Sequence, residues 1–267
     1  MSTQRSSAWL PRLHLIELHE QPWMPELVRQ LSTDYLRALM SILRPFEPLV
    51  PKLEELLRAS GEAAIVDLCS GGSGPLQELL GQLRERGVEA RAIMTDLYPN
   101  LPAFERARAA SGGRLGFEPE PVDARRVPER LRGARTLFNA FHHFRPHEAR
   151  AILADAAERG APILVAEFPH RSAMGLLGVL TTPPATVVLT PFVRPITAKR
   201  LFWTLVVPVA PAVMLFDGVV SALRSYRAEE LLDLARGLGG DGYLWEAGET
   251  RGRVGVITWL AGRPAGT

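Results

Sequence analysis

Residues 63–75 constrain the fold of this chain more than any other stretch. They read Ala-Ala-Ile-Val-Asp-Leu-Cys-Ser-Gly-Gly-Ser-Gly-Pro. An apolar run ends at Asp67, a small-residue turn follows from Cys69 to Gly74, and a helix-like segment opens at Pro75. Strand, glycine loop and helix start are the parts of a nucleotide-binding α/β unit. A loop without Cβ atoms lets the backbone come close to a ligand. Dinucleotide sites favour G-x-G-x-x-G, where a helix N-terminus faces the pyrophosphate. Here a carboxylate stands at the strand end, before the glycines. That charge suits a ligand with a cationic amino group better than one carrying phosphates.

The pattern continues downstream. Val88–Thr95 is a second strand-like run and ends at Asp96. An acid there, on the order of 20 residues beyond the glycine loop, is placed to bind ribose hydroxyls. Gly116–Val122 leads into Asp123-Ala124, Arg135–Ala140 contains Asn139, and Ala161–Glu167 again ends in an acid. Any one of these residues could simply cap a helix or make a turn. Capping alone does not explain Asp67, Asp96, Asp123, Asn139 and Glu167 falling in order at the ends of five strand candidates. Ligands of open α/β sheets bind beyond those ends.

The glycine loop resembles motif I of the class I S-adenosylmethionine-dependent methyltransferases, D/E-x-G-x-G-x-G. Asp67, Gly71, Gly72 and Gly74 fit it, while Cys69 and Ser73 stand where the family often has glycine. The run Asn139-Ala-Phe-His142-His143 is similar to the family's N-x-x-H-H at the floor of the cofactor pocket. The stretch Asp217–Tyr226, D-G-V-V-S-A-L-R-S-Y, is similar to that of a bacterial branch of the family. The resemblance implies a Rossmann-like seven-stranded sheet with a terminal antiparallel hairpin. It also implies S-adenosylmethionine as cofactor and S-adenosylhomocysteine as product. By the same resemblance, Asp67, Cys69, Gly71, Gly72 and Gly74 would hold the methionine end. Asp96 and Leu97 would meet the ribose side, Asp123 and Ala124 the adenine, and Asn139 the floor.

The expected layout has four parts. Residues 1–60 form an N-terminal helical cap, with an amphipathic helix over Leu27–Leu43 and a second helix closing at Gly61. Trp23, Asp34, Tyr35 and Arg37 are its candidates to face the site. Residues 61–169 form the cofactor-binding core. Residues 170–227 are an apolar insertion, and 228–267 complete the core. That last part has a helix over Ala228–Leu238 and strands over Tyr243–Ala247 and Arg253–Leu260, joined by a turn at Gly248–Gly252.

The insertion carries the individuality. Ser172–Val193 and Leu201–Phe216 contain no charged residue. The first run has the length of a membrane span, but Pro183-Pro184 interrupts it, and Pro208 and Pro211 interrupt the second. The leading reading is a helical lid over an apolar substrate, or a subunit interface of a homodimer. Peripheral membrane contact through 172–216 is the other, with Lys199 and Arg200 meeting headgroups while Leu201, Phe202 and Trp203 enter the interface. Asp217, Ser221 and Arg224 then share a helix face, either as an ion pair or to orient substrate.

Composition bounds the remaining classes. The chain has 267 residues, enough for one α/β domain with additions. A net charge of +2, with scattered arginines, gives no pull toward nucleic acid. The single cysteine, Cys69, excludes an intramolecular disulfide. The N-terminus lacks a signal-peptide core, so a cytoplasmic location is expected. His142, His143 and His147 have no zinc spacing, and no metal is expected. The expected activity is O- or C-methylation of a small hydrophobic metabolite. Its alternatives are a cyclase or isomerase on the same scaffold, or a membrane-associated adenosyl-ligand or lipid-binding protein. His142 or His143 is the candidate base, with Glu167 and His170 behind and Asp217, Arg224 and Tyr226 closing the site. On a strand such neighbours point opposite ways, so one histidine is expected in the site and one packed away.

Overall fold

The computed structural model describes residues 10–72, 74–194 and 196–266. Residues 1–9, read above as free of a signal-peptide core, and Ser73 lie outside the described residues. Helices α1 (Glu26–Leu43) and α2 (Val50–Ser60) precede strand β1 (Ala64–Asp67). Next come α3 (Leu76–Glu85), β2 (Arg91–Met94), α4 (Leu101–Ala110) and β3 (Leu115–Phe117). Strand β4 (Ala134–Phe138), α5 (Pro146–Glu158) and β5 (Ile163–Glu167) follow. The described residues of the insertion form α6 (Ala173–Val179), α7 (Thr182–Leu189), α8 (Ala198–Leu201) with a π-helical turn after it (Phe202–Val206), and α9 (Val209–Arg224). Helix α10 (Ala228–Ala235) leads into β6 (Tyr243–Arg251) and β7 (Val256–Pro264).

The chain divides into two compact units. One joins the described residues up to Ile42 with Pro169–Tyr226; the other joins Leu43–Phe168 with Arg227–Thr267. Residues 43–60, including α2, therefore group with the sheet.

In the sheet unit the strand order is β3-β2-β1-β4-β5-β7-β6. β1 to β5 run parallel, and β7 is antiparallel to β5, with Ala166 opposite Trp259. The central strands are mostly apolar because a parallel sheet is covered on both faces; the exceptions are paired, Arg135 of β4 with Asp155 (2.7 Å) and Thr136 of β4 with Asp67. Ile65, Leu137, Leu164 and Val165 are fully buried. Leu53 and Leu56 of α2, Leu76 and Leu80 of α3, Phe104 of α4 and Ile257 of β7 pack into one core. Helix α2 ends where Gly61 takes a left-handed φ of 66°. The order reverses between β1 and β4, and the ligand crevice of such sheets opens at that point.

Gly133 admits the chain to β4 beside β1. Its φ is 134°, and an added Cβ would lie 2.3 Å from the carbonyl oxygen of Ala64. We expect Gly133→Ala to cost about 1–3 kcal/mol through this backbone strain, with the crowding adding to it. A denaturant midpoint that does not move would refute this.

The hairpin turn differs from expectation. Gly248 lies within β6 opposite Trp259, and the reversal falls at Gly252–Gly255, where Gly255 has φ 76°. The indole explains the glycine: a Cβ on Gly248 would meet Trp259 Cζ2 at 2.9 Å. Gly248 is thus a strand residue under an aromatic ring, not a turn residue.

The helical unit has its own apolar core, including Leu31, Tyr35, Val193, Ala210 and Met214. Pro183 and Pro184 sit in the first turn of α7, where a missing N–H breaks no hydrogen bond. Among the described residues no single helix is long and apolar enough to cross a membrane. Ala198–Val206 and Val209–Arg224 meet that test only as a pair bent by 66°. The buried Tyr35 hydroxyl bonds the hydroxyls of Thr190 (2.9 Å) and Thr204 (3.0 Å). Asp34 pairs with Arg200 and with Arg37. Asp34, Tyr35 and Arg37 thus serve interactions inside the unit, while Trp23 is exposed. Arg200 is buried and donates to the Val193 carbonyl (2.6 Å), so it is not presented to a headgroup as expected.

Candidate active site at the strand ends

Asp67 closes β1 at the reversal of strand order. Its carboxylate is 2% exposed and accepts from the hydroxyls of Ser70 (2.6 Å) and Thr136 (2.5 Å). Burial nevertheless pushes its pKa up to about 7, because desolvation outweighs the two hydroxyls and the Asp96 charge adds to it. The loop after Asp67 is pinned by Leu68 N–H to Thr136 O (2.8 Å) and Ser70 N–H to Thr95 O (2.9 Å). Gly71 takes φ 56° with open space around it, so backbone conformation is what calls for glycine here. Gly74 is likewise left-handed, at φ 50°. Gly72 is half-buried in the same loop.

Asp96 faces the loop from the end of β2. One of its oxygens accepts from Gly71 N–H (2.9 Å), the other from Tyr98 N–H (3.0 Å). Leu97 and Tyr98 beside it are exposed. Cys69 is left-handed at φ 57°. Burial first, then the charges of Asp96, Asp67 and Asp123, push its thiol's pKa up, away from the thiolate form that a nucleophile needs. Asp123 is held below the usual carboxylate range by its hydrogen bonds with Arg125. Ala124, next to it, is buried.

The neighbouring strand ends carry the histidines. Phe141–His143 form a single 3₁₀ turn rather than a strand. Glu167, fully buried at the end of β5, accepts from Phe141 N–H (2.6 Å) and more weakly from His142 N–H (3.3 Å). His142 Nδ1 lies 2.5 Å from the other Glu167 oxygen. The His142 and His143 rings lie 4.2 Å apart, tilted by 34°. The expected separation of the pair therefore does not occur, because a helical turn sets neighbours side by side where a strand would send them apart. Asn139 is left-handed at φ 51°, and its side-chain oxygen accepts from Phe168 N–H (2.8 Å), tying the ends of β4 and β5.

No protein-family model and no curated protein matches the chain. Solved structures do. An O-methyltransferase of neocarzinostatin biosynthesis aligns at TM-score 0.51 and 15% identity, over 90% of this chain and 58% of that one. The chain has the methyltransferase fold. TnmH aligns at 0.50 and 19%, over 88% and 58%. An O-methyltransferase family protein from Burkholderia thailandensis aligns at 0.47 and 19%, over 88% and 61%. The chain spans about three fifths of the length of these structures.

Within this methyltransferase fold, the expected residues separate into two groups. Asp67, Cys69, Gly71, Gly72, Gly74, Asp96, Leu97, Asp123, Ala124, Asn139, His142, His143 and Glu167 belong to the sheet unit. His170, Asp217, Arg224 and Tyr226 belong to the helical unit and have partners there. His170 bonds Ser172 (2.9 Å) at the start of α6. Asp217 accepts from the backbone of Leu18 (2.6 Å) and His19 (3.1 Å), and Arg224 pairs with Glu20 (2.9 Å) and Glu17 (3.3 Å). Tyr226 lies under Arg12, 3.8 Å from its ring. The Asp217–Arg224 ion pair gives way to separate bonds with the N-terminal segment. Ser70 and Thr136, which grip Asp67, escaped the sequence reading. The available signal for Thr136 was a hydroxyl at the second position of the strand-like run Arg135–Ala140.

Proposed function

We propose that this chain is an S-adenosylmethionine-dependent methyltransferase acting on a small apolar metabolite at oxygen or carbon. The observation that carries the reading is one row of strand ends. It sets a buried carboxylate and a glycine loop (Asp67, Gly71, Asp96) beside a carboxylate-held histidine (Glu167, His142). The donor set fits the cofactor. Asp67, Cys69, Gly71, Gly72 and Gly74 would surround the methionine ammonium, Asp96 and Leu97 the ribose, Asp123 and Ala124 the adenine, with Asn139 below. Bound there, S-adenosylmethionine would supply an electrophilic methyl group.

The protein's own part is positioning and proton removal. With Nδ1 engaged by Glu167, His142 would take an acceptor's proton at Nε2, and the carboxylate would stabilise the imidazolium. His143, stacked on His142, is the second candidate. The neocarzinostatin neighbour is described in complex with S-adenosylmethionine and 2-hydroxy-5-methyl naphthoic acid. A small hydroxylated aromatic of that kind is the acceptor class to try first.

Calorimetric titration with S-adenosylmethionine and S-adenosylhomocysteine, with NADH as control, tests the scaffold. Micromolar binding of the adenosyl ligands alone is expected, and no binding by folded protein sinks the reading. Mass analysis of acceptor mixtures then separates methylation from isomerisation, since only the first adds a methyl group.

A further inference from the structure

The helical unit turns an unusual amount of apolar surface to solvent. Met174 and Leu177 project from α6, none of whose residues is buried. Val188 projects from α7, whose only buried residue is Thr186. Phe192 follows α7, and Leu205 and Val206 lie on the π-helical turn Phe202–Val206. Met174 is 75% exposed, Phe192 74% and Val206 68%. Apolar helix faces left to water mark interaction surfaces.

Charge identifies what would cover them. From Phe168 to Phe216 the chain contains no Asp or Glu. Its exposed charges there are Arg194 and Lys199, which bracket Ile196 between Phe192 and the π-helical turn. A second copy is a poor occupant. A two-fold contact through this face would set like charges together with no acid from the segment to pair them. An anionic bilayer answers both features: its headgroups take the two cations and its acyl boundary takes the apolar side chains.

We propose that the surface formed by α6, α7 and the segment from Phe192 to Val206 docks this protein on anionic membranes. Of the bent pair Ala198–Val206 and Val209–Arg224, whose arms meet at 66°, only the first arm belongs to this surface, since Ala210 and Met214 of the second lie in the unit's core.

Co-sedimentation of the full chain with vesicles tests the proposal. Phosphatidylcholine vesicles are compared with vesicles containing one third phosphatidylglycerol. Strong binding to the anionic vesicles only, weakened by salt, is expected. Arg194→Glu combined with Lys199→Glu should reduce it about tenfold or more. Phe192→Ser combined with Val206→Ser, at exposed positions that do not carry the core, should abolish it. Absence of binding, or equal binding to both vesicles, overturns the proposal. So does self-association in sedimentation velocity that the Phe192→Ser/Val206→Ser variant removes, which would assign the face to a second copy. Retained adenosyl-ligand binding in both variants would keep failure here distinct from failure of the methyltransferase reading.

Discussion

His142→Ala is expected to cut methyl transfer about 10²–10⁴-fold while leaving cofactor affinity nearly unchanged, the range a positioned general base contributes. Glu167→Gln should follow it, for a different reason. Glu167 acts through its neighbour: its carboxylate holds His142 Nδ1 and the backbone N–H of Phe141. A glutamine keeps the volume but replaces one accepting oxygen with a donor. The ring then loses its orientation and the charge that would stabilise its protonated form. The expected signature is a fall in kcat with KM little changed, and a shifted acidic limb of the pH–rate profile. Glu167→Ala strands those buried donors and should also lower stability, by about 1–3 kcal/mol for each donor left unsatisfied. Turnover that survives both His142→Ala and Glu167→Gln would end the base assignment, with His143→Ala as the remaining test of the pair.

Asp67→Asn should change how stability depends on pH. The folded-state pKa is raised to about 7 from an ordinary 3.8, chiefly by burial. A group raised in this way holds its proton more tightly when folded. Its contribution is therefore fully present below about pH 4 and is lost as pH rises through about 7. Above that, the buried carboxylate costs the fold up to about 4 kcal/mol. The substituted amide carries no charge, so the variant should melt higher than the parent at alkaline pH and lose its advantage near pH 4. Binding runs the opposite way. A ligand ammonium needs the carboxylate, so affinity for S-adenosylmethionine should rise with pH through about 7 in the parent and stay flat and weak in Asp67→Asn. Parallel melts of the two proteins at every pH would refute the first half. A parent affinity that does not vary with pH would refute the second.

The cost of that carboxylate comes from burial, which outweighs the two hydroxyls that support it. Asp67 itself was visible in the sequence because an acid before a glycine turn is a local pattern. Its partner Thr136 was not, because the two are brought together by pairing of strands far apart in sequence.

The same division runs through the molecule. The third strand could not be read directly, since β3 ends at Phe117 and Asp123 lies in the loop beyond it. The apolar runs that became β1, β2, β4 and β5, the acids that close β1 and β5, the helix over Leu27–Leu43 and the glycine stop after α2 could be. Each is written in consecutive residues, through hydrophobic period, turn chemistry and backbone preference. Tertiary structure decided the rest, because it depends on which distant side chain arrives. Gly248 became a strand residue because Trp259 lies over it. Arg200 was withdrawn from the surface by Asp34 and the Val193 carbonyl. Asp217 and Arg224 were engaged by the N-terminal segment. A charged or small residue in a sequence states what bonds it can make; only the packed chain selects the partner, since burial makes an unmet bond costly and leaves few geometries that satisfy every group at once.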